Sequence, residues 1–369
     1  METFIHPALP SAELALIQSA CLGVPLAEET WTDVRGERLL ALARWHQVRP
    51  QVFAAVQHFS ASWVGELKQE VFQLTLSNLV NTRETLSLLT ILKKNQISAY
   101  AYKGCVWAEW LYGQQSRREF GDIDLLVAKD DVNRCLDLFR SVGYAPDPYR
   151  EYLLTNQTSI RDAFFRTDYH IPMEKRVGAA SSMMLEVHWQ VAYPRLCFSF
   201  PSKEWSEYKV QMMIQSESVR CFTNEYQLLL LIMHHGGKEN WAKLKYVADL
   251  AAYMKRYGAA TNWPLVKRLA EKKGLWKLVR QSLGLLKALG MPWSDAWPEV
   301  EAVSLKATIL KNWEEMPPDP KNSTWMYLKQ AITIREHTAD QWEVAKAHLR
   351  YMSELKLLLH KSRWYAGKS

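Results

Sequence analysis

Cysteine is scarce in this 369-residue chain: there are five, an odd number, at positions 21, 105, 135, 197 and 221, with no C-x-x-C pair. That pattern argues against a disulfide framework and a zinc ribbon. Long apolar runs are missing as well. The longest, YQLLLLIM at 226–233, falls well short of the roughly 18 residues a membrane span needs and reads as a buried helix. The opening stretch METFIHPALPSAELALIQSACLG has neither the basic lead nor the long apolar segment of a signal peptide. No P-loop, G-x-S-x-G, H-E-x-x-H or dinucleotide-binding glycine pattern occurs. Together these absences predict a cytoplasmic protein with reduced thiols and no membrane partner.

What is present is ordinary for a globular chain: 48% hydrophobic and 23% charged residues, with length enough for two or three domains or one large core. The formal charge of +7 is unevenly spread. Residues 238–287 hold twelve Lys/Arg against three Asp/Glu, so the remainder is slightly acidic. Such a block fits a phosphate-bearing partner, and equally a set of solvated helix faces.

Along the chain, residues 30–95 read as helices, with Phe72, Leu76, Leu79, Leu86 and Leu89 at helical spacing. ISAYAY (97–102) is β-prone, KGCVWAEWLYG turns at Gly104 into a helix, and DIDLLVA is a strand. KDDVNRCLDLFRSVGY is an amphipathic helix with Asp130 or Asp131 as cap. TDYHIPM and SMMLEVHWQVAY read as two further strands joined near Gly178. Beyond residue 222 the helical period returns, interrupted by the prolines of EEMPPDPKNS (314–323). Strands confined to the middle predict an α+β protein: a helical region over 1–95, a small mixed-sheet core over 96–222, and a second helical region over 223–369.

Within that middle unit, Asp122 and Asp124 stand one residue apart in an otherwise apolar strand. Residues i and i+2 share a strand face, with Cα atoms ~6.5–7 Å apart, so the two carboxylates raise each other's pKa unless a cation intervenes. A hard divalent ion is the natural compensation. A water-solvated pair, or one satisfied by Arg117 and Arg118, is the plainer alternative. Two features favour the metal. The glycine turn at Gly104, opening a helix, can cradle phosphate oxygens. Glu186 and His188 in LEVHW repeat the i, i+2 spacing, so a neighbouring strand would supply a third carboxylate for a two-metal phosphoryl-transfer site. His188 is equally suited to the core. His234 and His235, adjacent on a helix, point ~100° apart and do not readily ligate one ion. Asp249 reads as paired with Lys245 one turn earlier, and most tryptophans, including Trp107, Trp110, Trp241 and Trp276, read as core.

YKG followed by LYG, then R…GDIDLLV, a helix ending in GY, and LEVHW together resemble the uncharacterised nucleotidyltransferase family, within the DNA polymerase β-like superfamily. RLLALARWHQVRPQVF and HGGKENWAKLKYVADLA extend the resemblance over about residues 30–255. It implies that Asp122, Asp124 and Glu186 hold Mg²⁺ or Mn²⁺ and carry catalysis. It further implies that Lys103, Gly104, Arg118, His188, His235 and Lys238 serve a nucleoside triphosphate. The reaction implied is transfer of a nucleoside monophosphate to an acceptor hydroxyl, on a small molecule, tRNA or other RNA, or a protein, with release of pyrophosphate. One departure stands out: the superfamily's Gly-Ser is Gly104-Cys105 here. The competing expectation is an inactive relative whose basic helices bind RNA or another polyanion.

Overall fold

Alternation in DIDLLV sets the frame: Ile123 and Leu125 are buried on one face of a strand whose other face carries Asp122 and Asp124. The computed structural model describes residues 10–25, 34–178, 181–305, 307–318 and 324–367. Its main sheet has five strands: β1 (Ala99–Tyr102), β2 (Asp122–Val127), β3 (Ala145–Pro146), β4 (His170–Arg176) and β5 (Ser182–His188). Their spatial order is β1-β2-β5-β4-β3, and only the central β2–β5 pair is parallel. A parallel pair needs a long crossover, supplied by the helices Val132–Ser141, Pro148–Leu154 and Thr158–Thr167 together with β3 and β4. Helices lie before and after this sheet, so the architecture is the α+β arrangement the sequence predicts.

Some elements differ from expectation. Asp131 does precede the helix Val132–Ser141, but its side chain makes no cap bond; it accepts from Arg134 Nη1 at 2.9 Å instead. A hairpin, β6 (Lys209–Ile214) and β7 (Glu217–Phe222), forms a separate two-stranded sheet. In the long helix Ser62–Lys94, Phe72 is 59% exposed, and Leu76 and Leu79 also face out. The buried side carries Asn78, Thr82 and Thr85. Asn78 Nδ2 donates to the carbonyls of Gln115 (2.7 Å) and Arg118 (2.8 Å), fastening the loop that leads into β2. The helix turns a polar flank inward because that loop offers buried carbonyls which must be paired.

The C-terminal helices are pinned to the rest by two buried groups. Arg335 donates to four backbone carbonyls, those of Lys273, Gly274, Leu196 and Cys197. His46 lies 3.0 Å from the carbonyl of Trp313 through Nε2 and accepts the Leu244 N–H at Nδ1, also at 3.0 Å. The helix Ala307–Glu315 stops before Pro317 and Pro318, as paired prolines require; positions 319–323 of that linker, like 30–33 of the N-terminal helical stretch, lie outside the described residues. Among the described residues no helix is long and apolar enough to cross a membrane.

A candidate active site of carboxylates on a basic cleft

At the end of β1 the backbone makes an unusual turn. Lys103 takes φ +56° and ψ −138°, a region that non-glycine residues rarely occupy, and Gly104 follows at φ +38° before the helix Gly104–Tyr112 begins. A Cβ at Gly104 would lie 3.3 Å from the Asp122 carbonyl oxygen, so glycine lets the turn sit directly against β2. The same turn sends Lys103 back across the sheet, where its Nζ lies 2.8 Å from Asp124 Oδ1.

Strand register does the rest. Asp124 stands opposite Glu186 in the parallel β2–β5 ladder, and His170 stands opposite His188 in the antiparallel β4–β5 ladder. His188 Nε2 is 2.8 Å from Asp124 Oδ1 and 3.0 Å from Glu186 Oε2. His170 Nε2 is 3.6 Å from Glu186 Oε1. Asp124 is fully enclosed, whereas Asp122 and Glu186 line an open cleft.

The electrostatics follow from these contacts. Burial works against a charged Asp124, but Lys103 and His188 outweigh it and hold its carboxyl below the usual range. Glu186 is likewise held low, because His188, His170 and Lys103 overcome its burial. Asp122 moves the other way: the charge of Asp124, then burial, push its carboxyl up. Asp122 is thus the group left short of positive charge.

These residues fit a divalent cation. Asp124, Glu186 and His188 each bring a ligand atom within 4.8 Å of the others, and Asp124 Oδ2 is buried with no hydrogen-bond partner. An orphaned carboxylate oxygen beside two more carboxylates is a costly arrangement that a cation relieves. Oxygen donors suit Mg²⁺ or Mn²⁺.

A second buried network lies behind the first. Asp249 accepts from Arg118 Nη2 (2.9 Å) and Nε (3.0 Å), from Tyr112 OH (3.0 Å), and pairs with His235 Nε2 (3.0 Å). Arg118 also stacks on Trp107, its guanidinium carbon 5.4 Å from the ring centroid. The expected Lys245–Asp249 pair does not form; Lys245 Nζ donates to Gln47 instead. Lys238 is 3.3 Å from Glu239 and sits over the Tyr169 ring. Cys105 is buried, and it is Gly104 beside it that lines the cleft.

The structure therefore groups the sequence-derived residues into two sets. Asp122, Asp124, Glu186, His188, Lys103 and Gly104 converge at one end of the cleft. Arg118 Nε and Nη2 and His235 Nε2 are committed to Asp249, and Lys238 lies close to Glu186 and Tyr169. The cleft has a volume of about 1270 Å³. Its far wall comes from the C-terminal helices, with Lys277, Thr308, Asn312, Lys329 and Thr333 among the lining residues. His170 was not singled out from sequence, although Asp168-Tyr-His170 repeats the acid-x-His spacing of Glu186-Val-His188.

A family model described as uncharacterised nucleotidyltransferase matches residues 32–290. The chain belongs to that family. Among solved structures, this nucleotidyltransferase-family chain is similar to an antigenic nucleotidyltransferase-like protein from Paracoccidioides brasiliensis. The two share 13% identity over 60% of this chain and 94% of that one, with a TM-score of 0.32. No curated protein matches the chain.

Proposed function

We propose that this protein is a metal-dependent nucleotidyltransferase that moves a nucleoside monophosphate from an NTP to an acceptor hydroxyl and releases pyrophosphate. The observation that carries the reading is the register that sets Asp124 against Glu186, with Asp122 on the same strand face, beside the Gly104 turn. In the reaction the acceptor oxygen forms a bond to the α-phosphorus, the bond from that phosphorus to the bridging oxygen of pyrophosphate breaks, and the hydroxyl proton is released.

The residues divide the work by position. Asp122, Asp124 and Glu186 would hold Mg²⁺ or Mn²⁺. When bound, such ions supply charge neutralisation at the attacking and leaving oxygens. Gly104 lines the cleft at the start of its helix, a position that suits phosphate oxygens. Lys103 and Lys238 place fixed positive charge near the same end, where negative charge gathers on the departing pyrophosphate. His188 bridges Asp124 and Glu186 and so fixes both carboxylates in place. The acceptor is a small molecule, an RNA such as tRNA, or a protein hydroxyl.

One observation favours a second reading, a non-catalytic polyanion binder. Asp124 is already paired internally with Lys103 and His188, while lysines including Lys277 and Lys329 line the cleft. Incubation with each α-labelled NTP, Mn²⁺ and cell extract separates the two. The transferase labels an acceptor and Asp122→Ala abolishes it; equal labelling by both proteins refutes the assignment. Steeply salt-dependent RNA binding with no NTP-induced rise in melting temperature supports the binder instead.

A further inference from the structure

Between the helices Asn224–Ile232 and Leu244–Tyr257 the chain does not continue as a regular α-helix. Met233–Lys238 winds as a single π-helical segment, a geometry frequent at functional sites. Its effect here is specific. Neighbouring side chains on an α-helix diverge by about 100°, yet the rings of His234 and His235 meet with Nδ1 to Nδ1 at 3.0 Å. Trp107 packs edge-on against both rings, and Tyr246 also contacts both, which fixes their orientation.

The protons in this pair are determined by its far end. Asp249 is ionised, because Arg118 and His235 overcome its burial and hold its carboxyl well below the usual range. An ionised carboxylate only accepts, so His235 Nε2, 3.0 Å away, carries a proton. Burial keeps His235 neutral, its pKa lowered to about 4, which leaves its Nδ1 bare. His234 must then donate from its own Nδ1. Burial, then the nearby charges of Lys103 and Lys238, keep His234 neutral too. One nitrogen is left over: Nε2 of His234, without a proton, on the ring edge away from His235. His234 lines the cleft together with Lys103, Asp122 and Glu186.

We propose that His234 Nε2 is a fixed, uncharged hydrogen-bond acceptor that receives the attacking hydroxyl of the acceptor substrate. This role rests on the transferase reading and adds to it a substrate-binding residue. A bare ring nitrogen binds a hydrogen-bond donor or a metal ion. Lys103 and Lys238 repel an ammonium there and favour a group whose oxygen gains negative charge as it attacks. A hydroxyl meets both demands, donating a hydrogen bond to the ring nitrogen while presenting lone pairs to phosphorus. The Asp249–His235–His234 chain prevents the ring from turning, because rotation would break the Nδ1 contact.

The test has two arms on the full chain. In protein carrying ¹⁵N-labelled histidine, two-bond ¹H–¹⁵N correlation spectra at pH 7, assigned with His234→Gln, report each ring's tautomer. A protonated Nδ1 and bare Nε2 on His234 are expected; a proton on Nε2, or on both nitrogens, overturns the proposal. In the second arm, labelling of extract from α-labelled NTPs is compared among variants. His234→Ala should lose about tenfold, the worth of one hydrogen bond, with unchanged dependence on NTP concentration. His234→Gln, whose amide oxygen also accepts, should recover much of the labelling that His234→Ala loses. Equal loss in both variants overturns the acceptor role, and a shift in NTP dependence moves the contact to the nucleotide and overturns the hydroxyl role. If the wild type labels nothing, the transferase reading and the hydroxyl role fall together, while the spectrum still decides the bare nitrogen.

Discussion

Lys103 and His188 share a single oxygen of Asp124: Nζ and Nε2 each lie 2.8 Å from Oδ1, and Oδ2 has no partner. One oxygen of the enclosed Asp124 carboxylate is thus committed to internal partners, and the other has none. The arrangement leads to the first of four predictions.

Lys103→Met removes the ammonium and leaves Asp124 with His188 alone. Breaking a buried pair from one side costs about 3–5 kcal/mol, so the variant should melt well below the wild type in chelator. Mn²⁺ should then raise its melting temperature by more than it raises the wild type's. Thermal unfolding with and without MnCl₂ measures both effects, and an equal Mn²⁺ shift in the two proteins would count against a cation at Oδ2.

Gly104→Ala places a methyl group 3.3 Å from the Asp122 carbonyl oxygen on a backbone with φ +38°. Left-handed backbone costs an L-residue about 1–2 kcal/mol, a modest loss in urea unfolding. Transfer should fall far more, by about a hundredfold, because a small displacement of a catalytic carboxylate is amplified in rate. A variant with reduced stability and full activity would show that the turn does not position Asp122.

Asp249→Asn keeps the shape of the side chain and removes its charge. Arg118, buried against Trp107, then has no counter-ion, and the expected loss is about 3–5 kcal/mol by chemical denaturation. A change below about 1 kcal/mol would mean that water reaches the pair and screens it.

His46 ties stability to pH. Its pKa is lowered to about 3 in the fold, mainly by burial, from the ordinary 6.5. As pH falls, the unfolded chain takes up this proton first. The stabilisation is therefore complete above about pH 6.5 and is lost steadily down to about pH 3, with a slope of about 1.4 kcal/mol per pH unit for the one proton. His46→Gln, though less stable at pH 7, should show a flatter decline between pH 6 and 4 in urea titrations. An unchanged slope would remove His46 from the acid response.

The fold around the site was legible because it obeys local rules. Alternation in DIDLLV and LEVHW fixes which face carries the acids, and a strand–glycine–helix turn announces itself at Gly104. The hairpin of β6 and β7 was not legible: both of its turn residues, Gln215 and Ser216, have positive φ, a role usually marked by Asn-Gly. Nor was the partner of Asp249. Helical spacing points to Lys245, yet the salt bridge runs to Arg118, 131 positions away in sequence. The exposed Phe72–Leu79 stripe failed as a guide to burial for the same reason, since the loop at 115–118 draws Asn78 and Thr82 inward. His234 and His235 were read as diverging because α-helical spacing was taken where the chain winds more widely.

Arg335 has a consequence for how the protein can diversify. By clamping the carbonyls of residues 196–197 and 273–274, it fastens to the family-matched stretch a helical tail that lies beyond residue 290 and supplies part of the cleft's far wall. The acids and much of the surface opposite them thus occupy separate stretches of one polypeptide, joined by Arg335, by His46 and by neighbouring contacts. Exchange of the tail distal to that clamp would change what is admitted while leaving the acids undisturbed.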